Sequence, residues 1–192
     1  MLTVADNAGS DVRHRWLRGL QLAGGTLTLV LGLAALAGWI AGVPWLTTLA
    51  AGRMPMAPST AVLFIAFGGL LLSGRPAPKT RARGLQVLIA ALIAGTALLL
   101  AILAFLGITS PVEHLGLDIQ GSLAGAPVGH MSPVTALCFV MGSAAYLLAI
   151  VQGRLSPKTI RLAFALSLGL LLLSFVLTTA YLLGVPVLYN SG

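Results

Sequence analysis

Charged residues are scarce in this chain, and acidic ones are the scarcest. Only 4 of its 192 residues are Asp or Glu and 11 are Lys or Arg, so that 8% of the chain is charged. A soluble domain carries roughly 25% charged residues, and this chain could not cover a soluble surface with so few. Hydrophobic residues make up 58% of it, and the mean hydropathy is +1.01. The composition excludes a soluble globular protein and predicts an integral membrane protein.

Cysteine and catalytic motifs are also nearly missing. The single cysteine, Cys138, has no disulfide partner in the chain and is interpreted as a small apolar residue. No glycine-rich phosphate loop and no nucleophile–base motif is recognisable in the sequence. These absences favour a protein that is not an enzyme and that carries no cofactor.

Five apolar segments are separated by short polar stretches. They cover residues 20–43, 58–73, 85–108, 133–151 and 160–185. A bilayer core of about 30 Å needs about 20 helical residues, so the second segment is short and the fourth is marginal. Unpaired backbone groups are costly in lipid, and each span is therefore predicted to be a helix. The sequence predicts an all-α integral membrane protein with about five transmembrane helices, in which residues 1–19 precede a membrane domain of 20–192.

The basic residues indicate the orientation in the membrane. Of the 11 Lys and Arg residues, all but Arg53 precede the first, third or fifth segment. Short loops rich in Lys and Arg stay in the cytoplasm, which predicts an N-terminus inside and the end of this chain outside. The net charge of +7 is explained by topology, so the expected partner is the lipid bilayer with its anionic headgroups and not nucleic acid. A signal peptide is the alternative for the N-terminus, but the apolar run exceeds an h-region of about 7–15 residues.

Two stretches of the chain are almost alike. MPMAPSTAVLF at 54–64 and GHMSPVTALCF at 129–139 share Met, Pro, Thr, Ala and Phe at an offset of 75 residues. A GVP exit recurs at 42–44 and 184–186. We interpret the unit as a long helix, an outer loop and a short helix that begins at proline, and such repeats predict a bundle of helices packed in pairs. The units cover residues 20–74, 85–152 and, incompletely, 160–192.

The two similar stretches stand at the starts of the short helices. Proline at the first helical position costs nothing, and Ser132 is a good N-cap for Pro133, whereas Ala57 is a poor one for Pro58. The simplest interpretation is a helix-start signal used twice. A second interpretation is an outward-facing polar depression at two positive helix ends, which binds a small polar or anionic ligand. Its ligand-binding residues would be Ser59, Thr60, Ser132 and Thr135.

The longest outer loop, residues 109–132, carries four ionisable side chains that could take part in chemistry. They are Glu113, His114, Asp118 and His130. Two histidines and two carboxylates are possible ligands of a divalent metal, but their spacing matches no motif that places ligands on one helix face. A solvated loop is the favoured interpretation, and no metal site is predicted. Ionisable residues mark transport paths in membranes; the interior of the spans has none, which argues against ion pumping.

Small residues form a stripe at the end of the first span. Ala34, Gly38 and Gly42 lie one turn apart, and such stripes allow helices to approach closely in lipid. We expect this stripe to serve helix packing within the subunit, with a homodimer contact as the alternative.

The order of these motifs resembles a known family. GW-x-x-GVP-x-L, MAP-x-TA-x-x-F, MSP-x-TALCF and Y-x-x-GVP-x-LY follow one another over residues 20–192, as in the N-terminal multi-helix membrane region of bacterial sensor histidine kinases and diguanylate cyclases. There the region precedes PAS, kinase or GGDEF domains. The resemblance implies a non-catalytic sensory or signal-input module in a bacterial inner membrane, acting on a cytoplasmic output domain.

The chain departs from that family at its end. In the family, the Tyr-Gly-Val-Pro segment leads into a further helix, and five spans would leave the chain's end outside, away from cytoplasmic nucleotide. The alternative interpretation is a small accessory or structural subunit of a larger membrane complex, which would use its apolar helix faces to contact partner subunits. Both interpretations remain open from the sequence.

Overall fold

The computed structural model describes residues 3–48, 54–74, 80–108, 111–117, 119, 122–123, 126–151 and 156–183. Its elements are α1 (Thr3–Ala41), α2 (Pro44–Thr47), α3 (Pro58–Leu72), α4 (Arg81–Phe105), a 3-10 helix (Pro111–His114), α5 (Pro133–Val151) and α6 (Pro157–Leu183). A two-residue antiparallel ladder pairs β1 (Ser122–Leu123) with β2 (Ala126–Pro127). The predicted all-helical class is confirmed, with this ladder as a small addition.

Four of the described helices are long and apolar enough to cross a membrane. They are α1 from Arg15 onward, α4, α5 and α6. The second predicted segment also forms a helix, α3, but it has 15 residues, fewer than the roughly 20 that a bilayer core requires. The structure therefore agrees with the prediction of a helical membrane protein, with four described helices long enough to span a bilayer.

The long helices α1 and α4 end in the same way. Gly42 and Gly107, just after the two helices, have φ angles of +65° and +69°. Glycine adopts this left-handed conformation without a steric penalty, and the chain then turns back on the last helical carbonyl groups. The closing bonds run from the N–H of Val43 to the carbonyl of Gly38 at 2.8 Å and from Ile108 to Leu103 at 2.9 Å.

The helices pack in consecutive pairs, α1 with α3, α4 with α5, and α5 with α6. The first pair is unusually close. A Cβ atom on Gly32 would lie 2.7 Å from the carbonyl oxygen of Ala61, and one on Gly68 would lie 2.7 Å from the backbone nitrogen of Leu29. Backbone therefore contacts backbone in this pair. Pairing of α1 with α3 and of α4 with α5 is the arrangement that the repeat interpretation expects; whether the two hairpins superpose stays a prediction.

The two shorter helices meet at the centre of the bundle. The ring of Phe139 on α5 lies edge-on to Phe64 of α3, with centroids 5.3 Å apart, and to Phe67, with centroids 6.4 Å apart. Phe139 belongs to the buried cluster of the core, together with Leu63, Leu70, Ala90, Ile93, Ala97, Leu100, Met131 and Ala136. α4 contributes Ala90, Ile93, Ala97 and Leu100 to this cluster, whereas in the membrane-spanning window of α6 no residue is buried.

The two ends of the bundle differ in chemistry. Gln21, in the middle of α1, donates to the carbonyl of Leu71 near the end of α3, and Arg83, near the start of α4, donates to the carbonyl of Ile150 near the end of α5. α6 begins shortly after α5 ends. The starts of α4 and α6 and residues 15–21 of α1 therefore share one end of the molecule, which we call the basic end. The opposite end, with the starts of α3 and α5, is called the loop end. The basic end is defined by Arg15, Arg18, Arg81, Arg83, Lys158 and Arg161.

Candidate functional site

A buried carboxylate lies at the loop end. Glu113, in the 3-10 helix, is 2% exposed. Its Oε2 accepts a hydrogen bond from the backbone N–H of Met131 at 2.7 Å, and its Oε1 lies 3.4 Å from Nδ1 of His130. A buried carboxylate is costly unless it is paired and hydrogen-bonded, and these contacts supply its partners. Glu113 thus ties the 3-10 helix to the residues just before α5, which differs from the solvated loop expected from the sequence.

Two histidine rings complete this cluster. The centroids of His114 and His130 are 4.8 Å apart, and the ring planes are tilted by 51°. Nε2 of His114 is buried and has no hydrogen-bond partner. Gly129 covers that atom: its φ is +88°, and a Cβ there would come within 3.0 Å of Nε2. Both the backbone conformation and the contact therefore require glycine at this position.

Three of the four residues considered as metal ligands thus converge, namely Glu113, His114 and His130, whereas Asp118 lies outside the described residues. Among the side chains that the structure describes, no group of three His, Cys, Asp or Glu could hold a metal ion. The chemistry that the cluster does show is hydrogen bonding between the 3-10 helix and the start of α5. The cluster therefore links the 3-10 helix to the start of α5 through polar contacts.

The start of α5 is capped as the sequence predicts. Oγ of Ser132 accepts the backbone N–H of Thr135 at 3.1 Å, and the two hydroxyl oxygens lie 2.8 Å apart. Pro133 is the first residue of the helix, where its missing N–H has no consequence. The polar groups of Ser132 and Thr135 are therefore already hydrogen-bonded to each other, inside the first turn.

The start of α3 is built differently, although its sequence is similar. Pro58 again opens the helix, but Ala57 provides no side-chain cap. Ser59 and Thr60 are 7% and 5% exposed, and Oγ of Ser59 has no hydrogen-bond partner. Ser59, Thr60 and Ser132 are thus buried and do not line an open depression. Ligand binding at these residues stays a prediction, and it would require this end of the molecule to open.

The small-residue stripe of α1 contributes to packing through one of its three members. At Gly38 a Cβ would lie 2.7 Å from Cβ of Leu46, because α2 folds back against this position. Gly42 closes the helix, and a Cβ there would meet no atom within 4 Å; Ala34 is half-buried. The close approach to α3 uses other residues, Gly25 and Gly32, which the sequence analysis did not single out. Their spacing of seven residues is the signal that could have identified them.

A second polar cluster, at the basic end, was not predicted from the sequence. Gln86, 7% exposed, donates from Nε2 to Oγ of Ser73 at 2.6 Å and to the carbonyl of Gly74 at 3.1 Å. Arg83 donates to the carbonyl of Ile150 at the end of α5. Carbonyl groups at helix ends lack intrahelical partners, so Arg83 caps the end of α5, while Gln86 holds the turn that follows α3. No local sequence pattern indicates these contacts, because Gln86 lies 13 residues from Ser73 and Arg83 lies 67 residues from Ile150.

Comparison of the chain with protein-family models, with curated proteins and with solved structures finds no match.

Proposed function

We propose that the chain is a non-catalytic sensory or signal-input module of a bacterial signalling protein, such as a two-component sensor. In this proposal it lies in the cytoplasmic (inner) membrane, with α3 as a fifth, short span, its N-terminus inside and the end of the chain outside. It acts on a cytoplasmic output domain. The motif order over residues 20–192 that resembles the membrane region of sensor kinases and cyclases supports this role.

One structural observation carries the proposal: α5 is held at both ends by polar contacts from separate segments. At the loop end, Glu113 binds the N–H of Met131 at 2.7 Å, just before the helix. At the basic end, Arg83 binds the carbonyl of Ile150. Packed helices move as rigid elements between discrete arrangements. A displacement of the loop end would therefore reach the basic end through α5, which is what an input module must do.

The test is whether a substitution at the loop end changes amide hydrogen exchange at the basic end. In lipid nanodiscs, the Glu113→Gln substitution removes the charge that pairs with His130 while keeping the shape of the side chain. We expect faster amide hydrogen exchange both around Met131 and at the far end of α5, around Ile150. The neighbouring Val112→Ala is the matched control, because Val112 is 72% exposed and should change neither region. Exchange that changes only at the loop end would contradict signal transmission through α5.

A second candidate function is an accessory or structural subunit of a larger membrane complex. The observation that favours it is α6, whose outer face presents Phe164, Leu171 and Phe175, exposed by 68%, 67% and 70%. Such a face fits a partner membrane subunit or a second copy of the chain as well as it fits lipid. Solubilisation in a mild detergent distinguishes the two candidates. An accessory subunit is recovered in fixed proportion with another membrane protein, whereas an input module is recovered without one.

A further inference from the structure

Exposed positive charge is concentrated at the basic end of the molecule. Arg15, Arg18, Arg81, Lys158 and Arg161 are exposed at the basic end. Among the side chains that the structure describes, the one carboxylate is Glu113, which is buried at the loop end and paired with His130. These five cations therefore have no described carboxylate near them.

The sequence increases this imbalance. In the sequence, Arg75 and Lys79 stand between α3 and α4 and Arg154 stands between α5 and α6, whereas the acidic residues that precede the first span are Asp6 and Asp11. No acidic residue occurs between Val12 and Val112 or after Asp118. The excess positive charge at the basic end thus belongs to the composition of the chain as well as to its fold.

The helices add to the positive potential at this end. α4 and α6 both begin here, and neither has an acidic residue in its first turn. The start of a helix carries the positive end of its dipole, at which Asp and Glu stabilise and Lys and Arg do not. Arg81 and Lys158 occupy those first turns. The positive end of each helix dipole repels Arg81 and Lys158, and an anion bound from outside the chain would stabilise both the cations and the helix starts.

We propose that the basic end binds the headgroups of acidic phospholipids in the adjacent leaflet. The position fits this partner, since the cations lie near the starts of helices that are long and apolar enough to cross a membrane, where lipid phosphates are expected. Clusters of Lys and Arg next to spans attract anionic lipid, with about 1 kcal/mol for each cation near the surface. The surrounding helix faces are apolar and accept the acyl chains. This inference does not depend on the sensory role.

The experiment titrates delipidated protein with phosphatidylglycerol or with phosphatidylcholine and counts the bound lipids by native mass spectrometry. We expect phosphatidylglycerol to be preferred, and the preference to fall about fivefold for each cation removed in Arg81→Gln, Lys158→Gln and Arg161→Gln. The matched control, Arg81→Lys with Arg161→Lys, keeps the charge and should keep the preference. Equal binding of both lipids to the wild type overturns the proposal, as does a preference that survives the three glutamine substitutions or is lost in the lysine control.

Measurements on the wild type alone also test the proposal, so that it does not depend on whether the variants fold. Rising salt should weaken the preference for phosphatidylglycerol, since exposed charges are screened; a preference independent of salt contradicts the proposal. Inorganic phosphate distinguishes a lipid from a free anion: it should not displace the bound phosphatidylglycerol, and displacement would assign the site to phosphate itself. In addition, Trp16 lies between Arg15 and Arg18 and is 69% exposed, so brominated phosphatidylglycerol should quench its fluorescence more than brominated phosphatidylcholine does.

Discussion

At the scale of single residues, Glu113 shows how a charged side chain is accommodated in this apolar protein. Replacing it with alanine leaves the N–H of Met131 and the ring of His130 without their partner, and an unsatisfied buried group costs about 1–3 kcal/mol. We expect Glu113→Ala to lower the melting temperature in detergent, with faster proteolysis of the loop end. Val112→Ala should have little effect, because that side chain is exposed. Equal melting temperatures for Glu113→Ala and wild type would contradict the proposal that Glu113 stabilises the loop end.

Two glycines of α1 test the contact with α3 at the same scale. A Cβ at Gly32 would lie 2.7 Å from the carbonyl oxygen of Ala61, whereas a Cβ at Gly24 meets no atom within 4 Å. Gly32→Ala should therefore destabilise the protein by about 1–3 kcal/mol, because the two backbones must separate. Gly24→Ala should stabilise it by about 0.5–1 kcal/mol, since alanine is the better helix former. Thermal unfolding of the two variants in one detergent measures both effects, and shifts in the same direction would show that α1 and α3 are not in close contact.

At the scale of elements, the starts of α3 and α5 form a natural comparison. Ser132→Ala removes the oxygen that accepts the N–H of Thr135, and loss of such a cap costs about 0.5–2 kcal/mol. Ala57→Ser should act in the opposite direction, because it supplies a cap that α3 lacks. Hydrogen exchange of the first turn of each helix measures the change locally. If Ser132→Ala leaves the first turn of α5 as protected as before, the hydroxyl pair is not its cap.

The starts of α3 and α5 could be predicted from the sequence, whereas α1 begins at Thr3, 17 residues before the predicted start of the first segment. The contacts between the elements could not be predicted. Pro58 and Pro133 were identified as first helical residues because proline at a helix start is a local signal. The pairing of Gln86 with Ser73 and Gly74 requires that the start of α4 lies beside the end of α3, which no local pattern reveals. Similarly, Glu113 was assigned to solvent because a loop residue is usually exposed; its burial depends on the position of Met131, 18 residues away.

At the scale of the whole molecule, composition alone was enough to predict a helical membrane protein. The orientation stays a prediction, and reporter fusions test it. Fusions after Gly74 and after Val151 should report a cytoplasmic position, and a fusion within residues 112–128 should report an external one, because the Lys and Arg residues cluster on the first side. A cytoplasmic signal from residues 112–128 would reverse the orientation and, with it, the leaflet proposed for the acidic lipids.

The shortness of α3 has a consequence for the depth of its first turn. Its 15 residues span roughly 22 Å at 1.5 Å per residue, against a hydrocarbon core of about 30 Å. In the proposed five-span arrangement, with its other end at the basic end, α3 would begin below the membrane surface, where water cannot satisfy the backbone. The protein supplies the partners instead: Met56 donates to the carbonyl of Thr47 at 2.8 Å and accepts from the indole of Trp39 at 2.7 Å. Membrane thickness therefore decides how far the start of α3 lies from water, and a thicker bilayer increases that distance.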